Sequence, residues 1–386
     1  MTMWIIIMYV TLTVTGISLL YLSNRVCQFR ITDKIFGSRQ RLKACFCTAL
    51  VFSLFFLICL VLNFMNAIVC AVYFAMIWLV CDALIALITW AVKQYIKRVE
   101  KKEIREISVY IAGIAAVAYS LLALAVGWNL AHNVVKTEYL VSSAKLPQEI
   151  TIVGFADSHI GTTFHADGFA KHIDEMQAQN PDIVIVAGDF VDDDTSKEDM
   201  IAACRKLGSL QTTYGVYFVF GNHDKGYYGA LRRGFGAAEL IAELEKNGVK
   251  VLRDETVLIG DTLYLVGRKD YSVEREQRGN RQSMAELTAG LDKSKFILVA
   301  DHQPTDYANQ EKAEVDLVFS GHTHGGQLFP FNQVGKWIGA NDMIYGHEKR
   351  GKTNFIVTSG ISDWAIKFKT GTKSEYTVIR LVKSED

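Results

Sequence analysis

The sequence predicts an N-terminal four-helix transmembrane region followed by an α/β domain built from two packed β-sheets flanked by helices. Three observations predict it. Residues 1–131 contain four apolar stretches long enough to cross a bilayer. Beyond them, apolar β-branched runs alternate with amphipathic stretches, the order expected of parallel strands with covering helices. Five of those runs also lead into short polar clusters, and α/β sheets place their ligands outside the carboxyl ends of strands. The 386 residues divide accordingly into a membrane region over 1–131, a polar connector over 132–148 and a domain over 149–386.

Composition supports the division. Residues 1–131 carry 12 Lys and Arg against 5 Asp and Glu, and the remainder carries 29 against 36, so a formal net charge of zero sums a basic half and an acidic half. All nine histidines lie at or after His132. Six of the seven cysteines sit in the apolar half, so no disulfide can form within the rest, and Cys204 reads as a small buried core residue.

A membrane helix needs about 20 residues. Such spans fall near Met3–Leu22, Ala44–Leu62, Ala67–Ile88 and Val109–Ala131. The first lacks a basic flank and a convincing cleavage site and reads as a retained helix. Arg25, Arg30, Lys34, Arg39, Arg41 and Lys43 follow the first span, while Lys93, Lys97, Arg98, Lys101, Lys102 and Arg105 precede the fourth. The link Asn63 to Asn66 carries no charge. Basic loops stay cytoplasmic, so a multi-pass cell-membrane protein with an extracytoplasmic C-terminal domain is expected. Asp82, alone among acidic residues within a span, is expected to pair with a loop Lys or Arg.

In the second half, His165–Asn180, Ser196–Leu210 and Gly236–Asn247 read as helices, with Ser196 a cap and Glu198-Asp199 in the favourable first turn. Strands are expected over Ile150–Phe155, Ile183–Ala187, Val216–Phe220, Phe296–Ala300 and Val315–Phe319, with further short ones in Val249–Val266, Asn354–Ser359 and Tyr376–Leu381.

The clusters that follow the first five strands are Asp157-Ser158-His159, Gly188-Asp189-Phe190-Val191-Asp192, Gly221-Asn222-His223-Asp224, His302 and Gly321-His322-Thr323-His324. One Asp-x-His or Gly-Asp alone is commonplace. Two imidazoles two residues apart after a buried strand are harder to explain structurally, because buried polar groups need partners. Together the clusters supply the carboxylates and neutral donors that two divalent cations about 3.5–4 Å apart require for phosphoester hydrolysis.

The clusters, with the Ser320-Gly321-His322-Thr323-His324-Gly325-Gly326-Gln327 run, resemble the calcineurin-like metallophosphoesterase superfamily, and within it the bacterial membrane-associated branch of transmembrane metallophosphoesterases. The resemblance covers roughly residues 148–383. It implies one metal held by Asp157, His159, Asp189 and His324, and a second by Asp189, Asn222, His302 and His322, with a shared hydroxide attacking phosphorus. It further implies that His223 protonates the leaving oxygen or steadies transition-state charge, that Asp224 orients His223, and that Asp192 supports a ligand. The implied cofactors are two divalent ions; N/O donors without thiolate suit Mn, Fe or Zn.

The expected partners are the lipid bilayer and a phosphorylated small-molecule or lipid substrate, with no nucleic acid; no feature sets an oligomeric state. The alternatives are a non-catalytic metal-binding receptor or signalling module and a phosphodiesterase acting on soluble nucleotides. His165 and His172 read as surface residues, His132 as interfacial, and His347 as undecided. Lys225–Phe235 and Arg268–Arg281 are either phosphate- or headgroup-binding segments or solvated loops.

Overall fold

The computed structural model describes residues 2–95, 101–228, 230–275 and 280–384. Its chain forms two compact units, Met1–Gly127 and Trp128–Asp386.

The helices of the first part are α1 (Thr2–Cys27), α2 (Arg30–Phe36), α3 (Gln40–Val61), α4 (Phe64–Tyr95) and α5 (Lys101–His132). A helix long and apolar enough to cross a membrane lies over each expected span, as Ile5–Cys27, Gln40–Val61, Phe64–Val92 and Tyr110–His132. Small residues Ala67, Ala71, Ala75 and Ala116 pack with Leu22, Phe55 and Trp78, the kind of close helix contact that lipid-embedded bundles rely on. The turn between α3 and α4 is tight because the Asn63 side chain accepts the Asn66 N–H at 2.8 Å. Asp82 accepts the Tyr21 hydroxyl at 2.6 Å and pairs with Arg25 at 2.6 Å, so the single acidic group at this depth is compensated as expected. Lys97 and Arg98 of the second basic loop lie outside the described residues.

Among the described residues the second unit holds twelve strands: β1 (Val135–Ser143), β2 (Ile150–Phe155), β3 (Ile183–Ala187), β4 (Gly215–Val219), β5 (Lys250–Leu252), β6 (Glu255–Ile259), β7 (Leu263–Gly267), β8 (Phe296–Ala300), β9 (Leu317–Ser320), β10 (Gly346–Arg350), β11 (Thr353–Val357) and β12 (Glu375–Lys383). They form two six-stranded sheets, ordered β1-β12-β2-β3-β4-β5 and β10-β11-β9-β8-β7-β6. The run β2 to β5 is parallel, as is β7-β8-β9-β11. Both parallel blocks therefore have a rim at which every strand ends.

Alternation along each strand explains why these runs read as continuously apolar. Ile183, Ile185 and Ala187 of β3 face Leu265, Leu298 and Phe319 of the second sheet. Val184 and Val186 face the other way, against Phe169, Met176, Met200 and Leu240. Those last residues come from α6 (Ala166–Gln177), α7 (Lys197–Leu207) and, after the short α8 (Ala230–Arg233), α9 (Ala237–Lys246). A strand covered on both faces has no solvated side to encode. Ser196 caps α7 by accepting the Asp199 N–H, and Cys204 is buried on the same helix.

One boundary differs from expectation. The stretch 132–148 is not a plain connector, because it contains β1, which pairs in parallel register with β12 from Val135–Glu375 to Ser143–Lys383. This edge strand is largely exposed, with only Val141 buried, so its polar side chains conceal a strand.

Candidate metal centre

The strand ends deliver the clusters to one crevice. Asp157 and His159 follow β2, Asp189 follows β3, Asn222 and His223 follow β4, His302 follows β8, and His322 and His324 follow β9. Five of them turn sharply out of the sheet with positive φ: Asp157 at 55°, His159 at 35°, Asp189 at 50°, His322 at 72° and His324 at 48°. Such conformations cost non-glycine residues on the order of 1–3 kcal/mol each and cluster at functional sites. The glycines beside them are needed for space. A Cβ on Gly188 would lie 2.5 Å from the Gly221 nitrogen, and one on Gly221 would lie 2.2 Å from Asp189 Oδ1. That mutual approach of the β3 and β4 loops is why both clusters begin with glycine.

The donors gather into two groups, Asp157-His159-His324 and Asp189-His302-His322, each with ligand atoms within 4.8 Å of one another. Asp189 joins the groups: its Oδ2 lies 3.1 Å from His302 Nε2 and 3.8 Å from His159 Nε2. Three buried polar atoms, His159 Nε2, His302 Nε2 and Asn222 Oδ1, have no hydrogen-bond partner. Orphaned buried polar atoms are rare in folded proteins and call for an explanation.

The far side of each ring is already committed. His159 Nδ1 faces Asp192 Oδ2 at 3.2 Å, His302 Nδ1 faces the Ala187 carbonyl at 2.7 Å, and His324 Nδ1 faces the Ser362 carbonyl at 3.3 Å. Outer partners of this kind leave Nε2 as the free donor, the usual support for a metal-bound imidazole.

Electrostatics agree. Burial opposes a charge on His159, yet the hydrogen bond to Asp192 and the charges of Asp189, Asp192 and Asp157 outweigh it and raise its pKa to about 9. His302 is likewise drawn well above the usual imidazole range, burial being overcome by Asp189. Burial and the like charge of Asp189 push Asp157 up to about 6. Burial and the neighbouring His302 hold His322 down at about 4. The carboxylates thus draw His159 and His302 toward positive charge, which marks negative charge for cations to satisfy, while burial keeps His322 and His324 neutral donors. The donor set therefore fits two divalent ions.

Asp224 occupies a different place from the one expected of it. Its carboxylate does not orient the His223 ring; it accepts the N–H groups of Asp189, Phe190, Val191 and Gly221 at 2.7–3.1 Å. It thereby ties the β3 loop to the β4 loop. Burial and Asp189 raise its pKa to about 7, against the four N–H bonds that favour the carboxylate. Asp192 does support His159, as expected.

His223 is half-buried beside the donors. Its N–H donates to Asp189 Oδ1 at 2.8 Å, and its ring meets Tyr227 at 5.0 Å, His159 at 5.1 Å and Trp364 at 5.3 Å between centroids. Burial lowers its pKa.

Arg233 is not a phosphate ligand. It is buried and donates to the carbonyls of Asp192, Asp224 and Phe235. Arg268 is buried too, bound to Asp301 and Asp306 at 3.0 Å, and Arg281 pairs with the same Asp301. Part of the Arg268–Arg281 segment, residues 276–279, lies outside the described residues. His165 is exposed against Asp199, His172 pairs with Glu175, His347 meets Asn354, and His132 stacks on Trp128.

The sequence carried no signal for the loop over residues 359–370. It supplies the Ser362 carbonyl to His324, sets Trp364 against His223, and is held by the fully buried Lys369. The Lys369 ammonium donates to the carbonyls of Ser359 and Ser362 and to Ser374 Oγ, and lies 3.4 Å from Asp363. A buried cation persists only when so fully partnered.

A family profile described as Calcineurin-like phosphoesterase matches residues 150–326. An uncharacterized metallophosphoesterase of Aquifex aeolicus is 32% identical over 194 residues, covering 50% of this chain and 70% of its own. One from Campylobacter jejuni is 30% identical over 244 residues, 62% of this chain and 61% of the relative, so the match falls short of two thirds of that protein. A Danio rerio protein named transmembrane protein with metallophosphoesterase domain is 30% identical over 249 residues, 61% of this chain and 55% of its own. The matched region holds every donor that the β2, β3, β4, β8 and β9 ends bring together, and the chain belongs to the calcineurin-like metallophosphoesterase family.

Proposed function

We propose that this protein is a membrane-anchored hydrolase of phosphoester or pyrophosphate bonds, acting on a lipid-linked or envelope substrate. The observation that carries the reading is the convergence of two orphaned buried donors, His159 Nε2 and His302 Nε2, on Asp189, with Asn222 Oδ1 also buried and unpartnered on the β4 loop that meets Asp189. Asp157, His159, Asp189 and His324 would hold one divalent ion, and Asp189, Asn222, His302 and His322 the second. Bound there, two such ions supply a nucleophile near neutral pH and offset charge on the phosphoryl oxygens. The chain's own contribution is positional. Asp192, Ala187 and Ser362 fix three imidazoles, and the Asp224 carboxylate holds the loops that carry Asp189 and Asn222. His223, lowered by burial and hence neutral at pH 7, presents one N–H to a phosphoryl or leaving oxygen. Full-length protein in detergent is expected to hydrolyse bis(p-nitrophenyl) phosphate with added Mn²⁺ and to lose that activity to a chelator. Metal-replete protein without turnover would favour a binding module instead.

The basic residues between the first two spans and before the fourth support a domain on the side opposite the cytoplasm. A reporter fused after Asp386 is expected to be active only as an extracytoplasmic form; cytoplasm-dependent activity would reverse the orientation.

A further inference from the structure

Large apolar side chains that remain exposed in the second unit fall mostly in segments that adjoin the site's residues in sequence. Thirteen are exposed there among the described residues, and nine lie in segments adjoining the site. Phe329, Phe331, Val334, Trp337 and Ile338 form a ridge within ten residues, with Trp337 73% and Ile338 62% exposed. The ridge begins five residues after His324. Tyr227 and Trp364, also exposed, touch the His223 ring. Lys336 is exposed within the ridge. Trp and Phe interleaved with Lys is the composition of an element that lies at a membrane–water boundary.

The same loop that completes the site joins this ridge to the end of the fourth span. The Phe329 N–H donates to Thr370 Oγ1 at 3.1 Å, and the Thr370 N–H donates to the Gln327 carbonyl at 2.8 Å. Two residues from Thr370, the Phe368 ring meets Trp128 at 5.8 Å, and Trp128 stacks on His132 at 3.9 Å. Ser374 Oγ donates to the Ala131 carbonyl at 2.7 Å. Trp128, Ala131 and His132 belong to the last turns of the apolar helix Tyr110–His132, and only Asn133 and Val134 separate it from β1. Two residues of chain reach roughly 10 Å from Cα to Cα, little more than the headgroup layer, which is about 5–8 Å per side.

We propose that the Phe329–Ile338 ridge, together with Trp364, enters the headgroup layer of the bilayer that the chain's own apolar helices cross. The metal centre then meets phosphoesters borne on lipid at that surface. The second statement rests on the hydrolase reading above; the first stands without it. The occupant is lipid, because the ridge is tied through residues 364–370 to the helix turn at which the chain leaves the membrane.

The test uses full-length protein in nanodiscs made with phosphatidylcholine brominated at shallow or deep acyl positions. The emission of Trp337 is isolated as the difference between the parent and Trp337→Phe. That component is expected to be blue-shifted, quenched by the shallow bromines more than the deep ones, and shielded from aqueous iodide. A red-shifted component quenched by iodide but not by bromine overturns the proposal. So does a blue-shifted one that ignores bromine while crosslinking reports a dimer, which would mean a second copy covers the ridge. Hydrolysis of bis(p-nitrophenyl) phosphate with Mn²⁺ by the same nanodiscs reads the hydrolase assignment separately. Quenching without turnover keeps the surface and removes the activity; turnover without quenching does the reverse.

Discussion

Replacing Asp189 with Asn is expected to abolish turnover while leaving the fold intact. The substitution keeps the side-chain volume, and Asn tolerates the left-handed backbone that Asp189 adopts at φ 50°. Its carbonyl can still accept the His223 N–H that now binds Oδ1 at 2.8 Å. What disappears is the charge shared between the two donor groups, which sits 3.1 Å from His302 Nε2 and 3.8 Å from His159 Nε2. Altering an outer partner of a metal ligand typically costs about 10–100-fold, and losing the bridging carboxylate is expected to exceed that. Bound metal, measured by elemental analysis after gel filtration, should fall below the parental content, while the melting curves of chelator-treated parent and variant should coincide. Parental turnover by the Asp189→Asn protein would remove this residue from the centre.

His223→Ala is expected to separate rate from metal content. The imidazole lies beside the donors without belonging to either group, so the variant should retain its ions. Both roles open to this ring, proton donation and hydrogen bonding to a charged oxygen, are worth about 10²-fold or more. The loss should appear in kcat rather than KM, since a group acting on the transition state leaves ground-state binding largely unaltered. Undiminished kcat would reject the role; loss of metal would reassign His223 to holding the centre together.

The parts of this site legible in the sequence are those in which side-chain chemistry acts directly. Asp157, His159, Asp189, Asn222, His302, His322 and His324 each follow an apolar run, and the parallel strands bring the six carboxylates and imidazoles into two donor groups, with Asn222 on the β4 loop that meets Asp189. What escaped depends on the backbone. The resemblance implies that Asp224 orients His223, whereas its partners are four N–H groups from two loops. The Ala187 and Ser362 carbonyls that orient His302 and His324 are donor-blind features any residue could supply. Arg233 stands in a segment that reads either as phosphate- or headgroup-binding or as a solvated loop, and Lys369 carries no sequence signal; burial makes both of them ties for loop carbonyls. β1 was obscured for the opposite reason: a solvated edge strand has few apolar positions to announce it.

Asp224 also bears on how the protein would choose its ions. A carboxylate that pins two loops through peptide nitrogens is expected to hold the donor positions whether or not ions are bound. Loading then involves little rearrangement of the polypeptide, unlike small domains that fold only around their metal. Selection among Mn, Fe and Zn falls to ionic radius, donor softness and supply in the compartment, so exchange of one ion for another should proceed on a frame that stays rigid throughout.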